Sequence, residues 1–314
     1  MSDDSTPEPV TQDAASGAES TPELPEVAGA TRKQIQREQL SVLFSTPGFI
    51  VGMGILLFWV LAALFPTLIT GTDPIISVRG ADGNTFPREP PGGEAWFGTD
   101  QIGRDVFARV IHGAGSILTI APIATAIAIA AGTLTGLTMG YFLGWVDEFL
   151  SRIVESILSI PVILMAILVV FTFGETTPVI IGTIALLFTA PVARTVRAAT
   201  IAEAQLDYVT SAKMRGEKSF FIIVQEILPN VTGVIVVELT VRLGYAVFTL
   251  ATLAFLGVSG RDPQLPDWGV DVAQNWERIG ADVWWPTIFP ALAIASLVIA
   301  VNLVADSIDR ALKS

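Results

Sequence analysis

The 314-residue chain contains no cysteine, a single histidine (His112) and three tyrosines, and only 15% of its residues are charged. Without cysteine there can be no disulfide, no thiolate nucleophile and no Cys-ligated zinc or iron–sulfur site. One imidazole leaves histidine-based metal sites and His-centred catalytic dyads almost without material. The sequence has no Gly-x-x-x-x-Gly-Lys-Ser/Thr loop to cradle nucleotide phosphates, no Gly-x-Ser-x-Gly elbow and no pair of aspartates within apolar runs. It also lacks a concentrated basic patch, so nucleic-acid binding is not expected.

What the chain has in abundance is apolar sequence: 51% of its residues are hydrophobic and the mean hydropathy is +0.61. A soluble domain carries about 25% charged residues, and here the apolar residues come in blocks. The reading is a polytopic, all-α membrane protein. Seven of the 30 acidic residues lie in positions 1–31, which hold no Lys or Arg, so 23 acids face 18 bases in the remainder. That Ser-, Thr-, Pro- and Glu-rich tail cannot bury enough surface to offset its ordering entropy and is expected to be disordered. It lacks the basic start and apolar stretch of a signal peptide.

A spanning helix needs about 20 mostly apolar residues. Six stretches approach this: 48–69, 117–143, 157–173, 178–193, 231–256 and 286–305. The fourth is short and is expected to continue as a helix past Arg194 and Arg197. With both termini inside, eleven Lys and Arg fall on the cytoplasmic side and six on the outer side, the favoured asymmetry. Trp284 and Trp285 at the outer start of the sixth stretch, and Trp145 at the inner end of the second, fit interfacial anchoring; Trp59 sits mid-span and does not. The organisation expected is a tail and basic segment (1–46), a first span with an outer segment (47–112), a transmembrane core (113–306) and a cytoplasmic end (307–314).

Within the outer segment, Val106, Val110 and Ile111 recur at helical spacing, and Asp105 and Arg109 are placed for an i,i+4 ion pair. This predicts a short amphipathic helix on the outer surface, capped by Asp100 or Thr99. In the long inner loop, Gly216 is placed to end a helix and Pro229 to begin the fifth span. Gly132, Gly136 and Gly140 allow close helix packing.

The inner loop reads Asp207-Tyr208-Val209-Thr210-Ser211-Ala212-Lys213-Met214-Arg215-Gly216, followed twelve residues later by Leu228-Pro229-Asn230. It resembles the loop of type I ABC importer permeases, with Ala212, Gly216, Leu228 and Pro229 in register; Thr210, Ser211 and Glu226 depart from the pattern. Phe97-Gly98-Thr99-Asp100, Gly103-Arg104-Asp105-Val106 and Arg109 are similar to the segment before the second span in the C-type permease subunit of dipeptide, oligopeptide and nickel importers. Ser159-Ile160-Pro161, Phe255-Leu256-Gly257, Pro266-Asp267-Trp268-Gly269 and Asn302-Leu303-Val304-Ala305-Asp306 extend the likeness over roughly residues 95–310. Leu250 stands where the family often has an acid, and Ala254 where Ser is usual.

The resemblance implies a six-span permease that pairs with a homologous second permease subunit. Two cytoplasmic ATPase subunits would carry ATP and Mg, this chain binding no cofactor and catalysing no reaction, and an extracytoplasmic binding protein would deliver substrate. It further implies that Asp207, Tyr208, Ala212, Arg215, Gly216, Leu228 and Pro229 belong to the loop that docks on the ATPase. Asp100, Gly103, Arg104 and Asp105 would form an extracytoplasmic motif, either shaping the outer mouth or anchoring the outer helix. Short peptides are the expected cargo, with nickel chelates, glutathione or sugars as alternatives. A channel is the rival class, although it leaves the spacing from Gly216 to Pro229 unexplained.

Arg242 lies in the middle of the fifth span, where a charge costs about 2.5–3.5 kcal/mol on insertion scales. Glu238, one turn earlier, is its expected partner. The pair is read either as part of a wet path or permease interface, or as an intrahelical ion pair buried against other helices.

Overall fold

The computed structural model describes residues 44–79, 85–93 and 95–313, with no side-chain description of Leu312 and Lys313. The acidic tail therefore lies outside the described residues. The elements are helical: α1 (Pro47–Leu64), α2 (Pro66–Thr70), α3 (Val106–Tyr141), α4 (Trp145–Leu158), α5 (Val162–Phe173), α6 (Thr177–Ala204), α7 (Asp207–Met214), α8 (Leu228–Phe255), α9 (Trp268–Asn275) and α10 (Trp285–Lys313). Among the described residues, five helices are long and apolar enough to cross a membrane, and α4 with α5 forms a bent pair that makes a sixth crossing if counted as one.

The third expected span is not a straight helix. Pro161 lacks an N–H and disfavours helical geometry at Ile160, and α4 and α5 meet at 91° across this break. The second span begins earlier than its apolar run: α3 extends without interruption from Val106 and is capped by Asp105, whose carboxylate accepts the Phe107 N–H at 2.9 Å. No separate outer helix capped by Asp100 or Thr99 forms. The fourth span continues to Ala204, as its flanking residues led one to expect. Helices α3 and α10 run straight through the boundaries expected at 112/113 and 306/307.

Close packing of α3 on α6 forms the centre. A Cβ on Gly132, Gly136 or Gly140 would lie 2.5–2.9 Å from Val192, the Ala193 carbonyl or Thr200, so only glycine permits this approach. Helix α1 is apolar around its whole circumference, with Ile50, Leu57 and Leu61 exposed, as a lipid-facing helix requires. Trp59 is tolerated mid-span because its indole N–H donates to Ser296 Oγ on α10 at 3.0 Å, while its ring packs edge-on against Trp268. Trp285 is buried and donates to the Thr99 carbonyl at 2.9 Å, so it closes the outer segment and is no interfacial anchor; Trp284 and Trp145 are exposed.

Candidate functional site at the inner loop and its supporting ion pairs

Helix α7 ends in a Schellman cap. Gly216 adopts φ +77°, its N–H bonds the Lys213 carbonyl at 3.0 Å, and the Glu217 N–H reaches back to Ala212 at 3.3 Å. Val209 and Ala212 are buried against Val192, Val196 and Val231, which fixes one face of α7 on the membrane helices. Met214 at its end is exposed, as are Leu206 just before the helix and Phe220 after it.

Tyr208 ties this helix to both neighbouring spans. Its hydroxyl donates to the Glu203 carboxylate at the end of α6 and accepts from Asn230 Nδ2 near the start of α8 at 2.9 Å. Burial, reinforced by the Glu203 charge, pushes the phenol up to about 12, so it stays a neutral donor. Pro229 takes the expected place at the start of α8, preceded by a wide, π-helical stretch (Ile222–Ile227). The wide turns suit a proline, which lacks an N–H and would crowd the carbonyl four residues back. The Glu226 carbonyl accepts from Asn230 Nδ2 at 2.7 Å. Asn230 and Glu203 had carried no weight in the sequence, since their role depends on where Tyr208 points. Arg215 turns away from α7 and pairs with Glu217 at 2.6 Å.

Arg242 and Glu238 form the expected i,i+4 pair, with Nε and Oε2 2.8 Å apart and both side chains mostly covered. The guanidinium also lies 5.6 Å from the ring centroid of the exposed Tyr245. Only 17% of the most apolar stretch of this span is buried by the chain itself. Leu250 and Ala254 are both buried.

On the outer side the expected Asp105–Arg109 pair does not form. Asp105 caps α3 and accepts from Thr72 at 3.1 Å, while Arg109 reaches Asp271 on α9 and the carbonyls of Pro74, Gln264 and Leu265. Asp100 accepts from Arg104 Nε at 2.6 Å and from the Ile102 and Arg104 N–H groups, which makes the motif a closed, buried turn with Gly103 at φ +87°. Burial pushes the Asp271 carboxyl up to about 6, opposed by Arg109, and raises Asp267, opposed by the Val270 and Gly269 N–H groups that Asp267 caps. The inner loop, the mid-span pair and the outer motif are thus three separate places along the bundle.

Among the described residues, an all-α bundle of five helices long enough to span and a bent sixth, with a capped loop held between two of them, is the architecture of a polytopic membrane protein. Residues 132–314 match the family described as the binding-protein-dependent transport system inner membrane component, and the chain belongs to that family. It is a permease of the type I ABC importer class, a transporter component that works with partner subunits and a substrate-binding protein. Similar relatives include the dipeptide transport system permease protein DppC of Alkalihalophilus pseudofirmus, 32% identical over 89% of this chain and 87% of the relative. DppC of Bacillus subtilis is 34% identical over 83% and 80%. The glutathione transport system permease protein GsiD of Pectobacterium atrosepticum is 35% identical over 71% and 74%.

Proposed function

We propose that this chain is one of two permease subunits of an ATP-driven importer of di- or oligopeptides, moving its cargo by alternating access with both termini in the cytoplasm. Family membership sets the channel reading aside. Two ATPase subunits would hold ATP and Mg, and a second, homologous permease would complete the path against the largely uncovered α8. The observation that carries the coupling role is the Tyr208 junction: one exposed helix, α7, is bonded at the same hydroxyl to the end of α6 and the start of α8. A partner moving α7 thereby acts on two spans together, and its different contacts in two states would supply the coupling free energy.

The relatives named for glutathione support a second reading in which the cargo is that γ-linked tripeptide. Vesicles holding the whole transporter, loaded with ATP and given radiolabelled dipeptides, oligopeptides or glutathione with the binding protein, separate the two. Saturable, ATP-dependent uptake of α-linked peptides is expected. Uptake of glutathione alone would replace the first reading with the second.

A further inference from the structure

The break between α4 and α5 lies deep in the membrane. Arg197, on the inner part of α6, holds Asp147 at the start of α4 through two bonds, Nε to Oδ1 at 2.5 Å and Nη2 to Oδ2 at 2.6 Å. Farther along, Leu150, Val154 and Ile157 pack with Ala190 and Ala193. Asp147 meets Arg197 just past the apolar stretch 178–193, and Ser159 follows twelve residues farther up α4, about 18 Å on, where lipid offers backbone groups no partner.

Yet this region is open. Ser159, Ile160, Pro161 and Val162 are exposed. Pro161 gives α5 no side-chain cap, and the Val162, Ile163 and Leu164 N–H groups have no hydrogen-bond partner among the described residues.

A second feature points the same way. Glu148, Arg152, Glu155, Ser156 and Ser159 are exposed and recur at i, i+4, i+7, i+8 and i+11, one row climbing α4 from its inner end to the break. The exposed Trp145, Phe149 and Ile153 border this row, Phe149 standing two turns below Ser156. Val154 shares its packing cluster with Ala193, the last residue of the apolar stretch of α6, and with Met139 near the inner end of α3, so Glu155 stands near the inner edge of the hydrocarbon layer and the row rises from there to the break. An amphipathic helix lying flat on the membrane would not climb along a spanning partner in this way.

We propose that the polar row of α4 and the exposed break at 159–161 line the inner half of the water-filled substrate path, across from the second permease subunit. This rests on the importer reading. Water in the path serves the free N–H groups at the head of α5 and hydrates Glu155.

The absence of native cysteine makes the test direct. Ser156→Cys, Ser159→Cys and, as the lipid-facing reference on α1, Leu57→Cys are each made in the chain, assembled with its partners in inside-out vesicles, and treated with a membrane-impermeant sulfonate thiol reagent. A thiol in water ionises with pKa near 8.5, and each unit that an apolar setting raises it lowers the reactive thiolate about tenfold. The Ser156→Cys and Ser159→Cys variants are expected to react at least about tenfold faster than Leu57→Cys, and modified Ser159→Cys to lose peptide uptake. Reaction of both serine replacements as slow as at Leu57 would overturn the proposal in favour of a lipid-covered or protein-packed break. So would full uptake after complete modification of Ser159→Cys. Absence of ATP-dependent uptake by the unmodified parent complex would sink the importer reading separately, whatever the labelling rates.

Discussion

Arg109 on α3 donates twice to one carboxylate oxygen of Asp271 on α9, at 2.8 and 2.6 Å across 162 residues of chain, and Asp271 Oδ2 is left buried without a partner. Both side chains are almost fully enclosed, at 2% and 5% exposure. The guanidinium also gathers the carbonyls of Pro74, Gln264 and Leu265, so one residue fastens two outer loops to the helix start. Arg109→Ala leaves a buried carboxylate uncompensated and is expected to cost about 3–5 kcal/mol. Arg109→Lys recovers little, because an ammonium cannot reproduce the planar fork. Thermal unfolding in detergent checks both; an unchanged midpoint for Arg109→Ala would show that the pair contributes nothing net.

The acid dependence follows from the same carboxyl. Asp271 and Asp267 are both raised by burial above the ordinary 3.8, Asp271 to about 6. The folded state then takes up protons before the unfolded one does, so the contribution of Asp271 to stability is complete below about 3.9 and is lost as pH rises through about 6, and Asp267 acts in the same direction. Relative to Asp271→Asn, the parent protein is expected to gain apparent melting temperature between pH 7.5 and 5.5. A parent that loses stability against the variant over that interval would show Asp271 to be held ionised by Arg109.

Gly216 tests the loop. No atom lies within 4 Å of a Cβ built there, so a substitution meets only the left-handed backbone, about 1–2 kcal/mol for an ordinary L-residue and less for Asn. Gly216→Asn is expected to retain uptake, whereas Gly216→Trp inserts and assembles but hydrolyses ATP without transport. Uptake per ATP hydrolysed measures this, and normal coupling in the Trp variant would remove α7 from the coupling role.

The α3–α6 seam offers the sharpest contrast in stability. Gly136→Leu drives a side chain against the Ala193 carbonyl and Arg197 N, both backbone, and is expected to prevent recovery of folded protein. Gly182→Ala, on the same α6 but with nothing near its Cβ, is expected to fold normally. Fluorescence-detected size-exclusion chromatography of the two variants suffices.

Arg242→Ala separates the two readings of the mid-span pair. Loss of uptake with little change in melting temperature places it at the path or the permease interface. Loss of stability with transport intact makes it an internal pair.

The spans were legible because lipid demands long apolar runs, and the glycine seam and the Gly216 cap were legible because each needs only local geometry. The start of α3 was not: Arg104, Asp105 and Arg109 read as surface residues, since the partner of Arg109 lies on a helix 162 residues away. Pro161 was in plain view, but a run of apolar residues on either side of it masked the turn it imposes. Trp59 needed Ser296, and Tyr208 needed Asn230, partners that no spacing rule connects. The polar row of α4 is diluted among apolar neighbours in the sequence, and its exposure shows only in the fold.

Where Gly132, Gly136 and Gly140 bring α3 against α6, backbone meets side chain and backbone with no layer of long side chains between. Such a contact has nothing to compress and no alternative rotamers to adopt, so the two helices behave as a single strut. Because Tyr208 bonds α7 to the end of α6, a displacement of α7 would carry α3 along with α6 rather than slide one past the other.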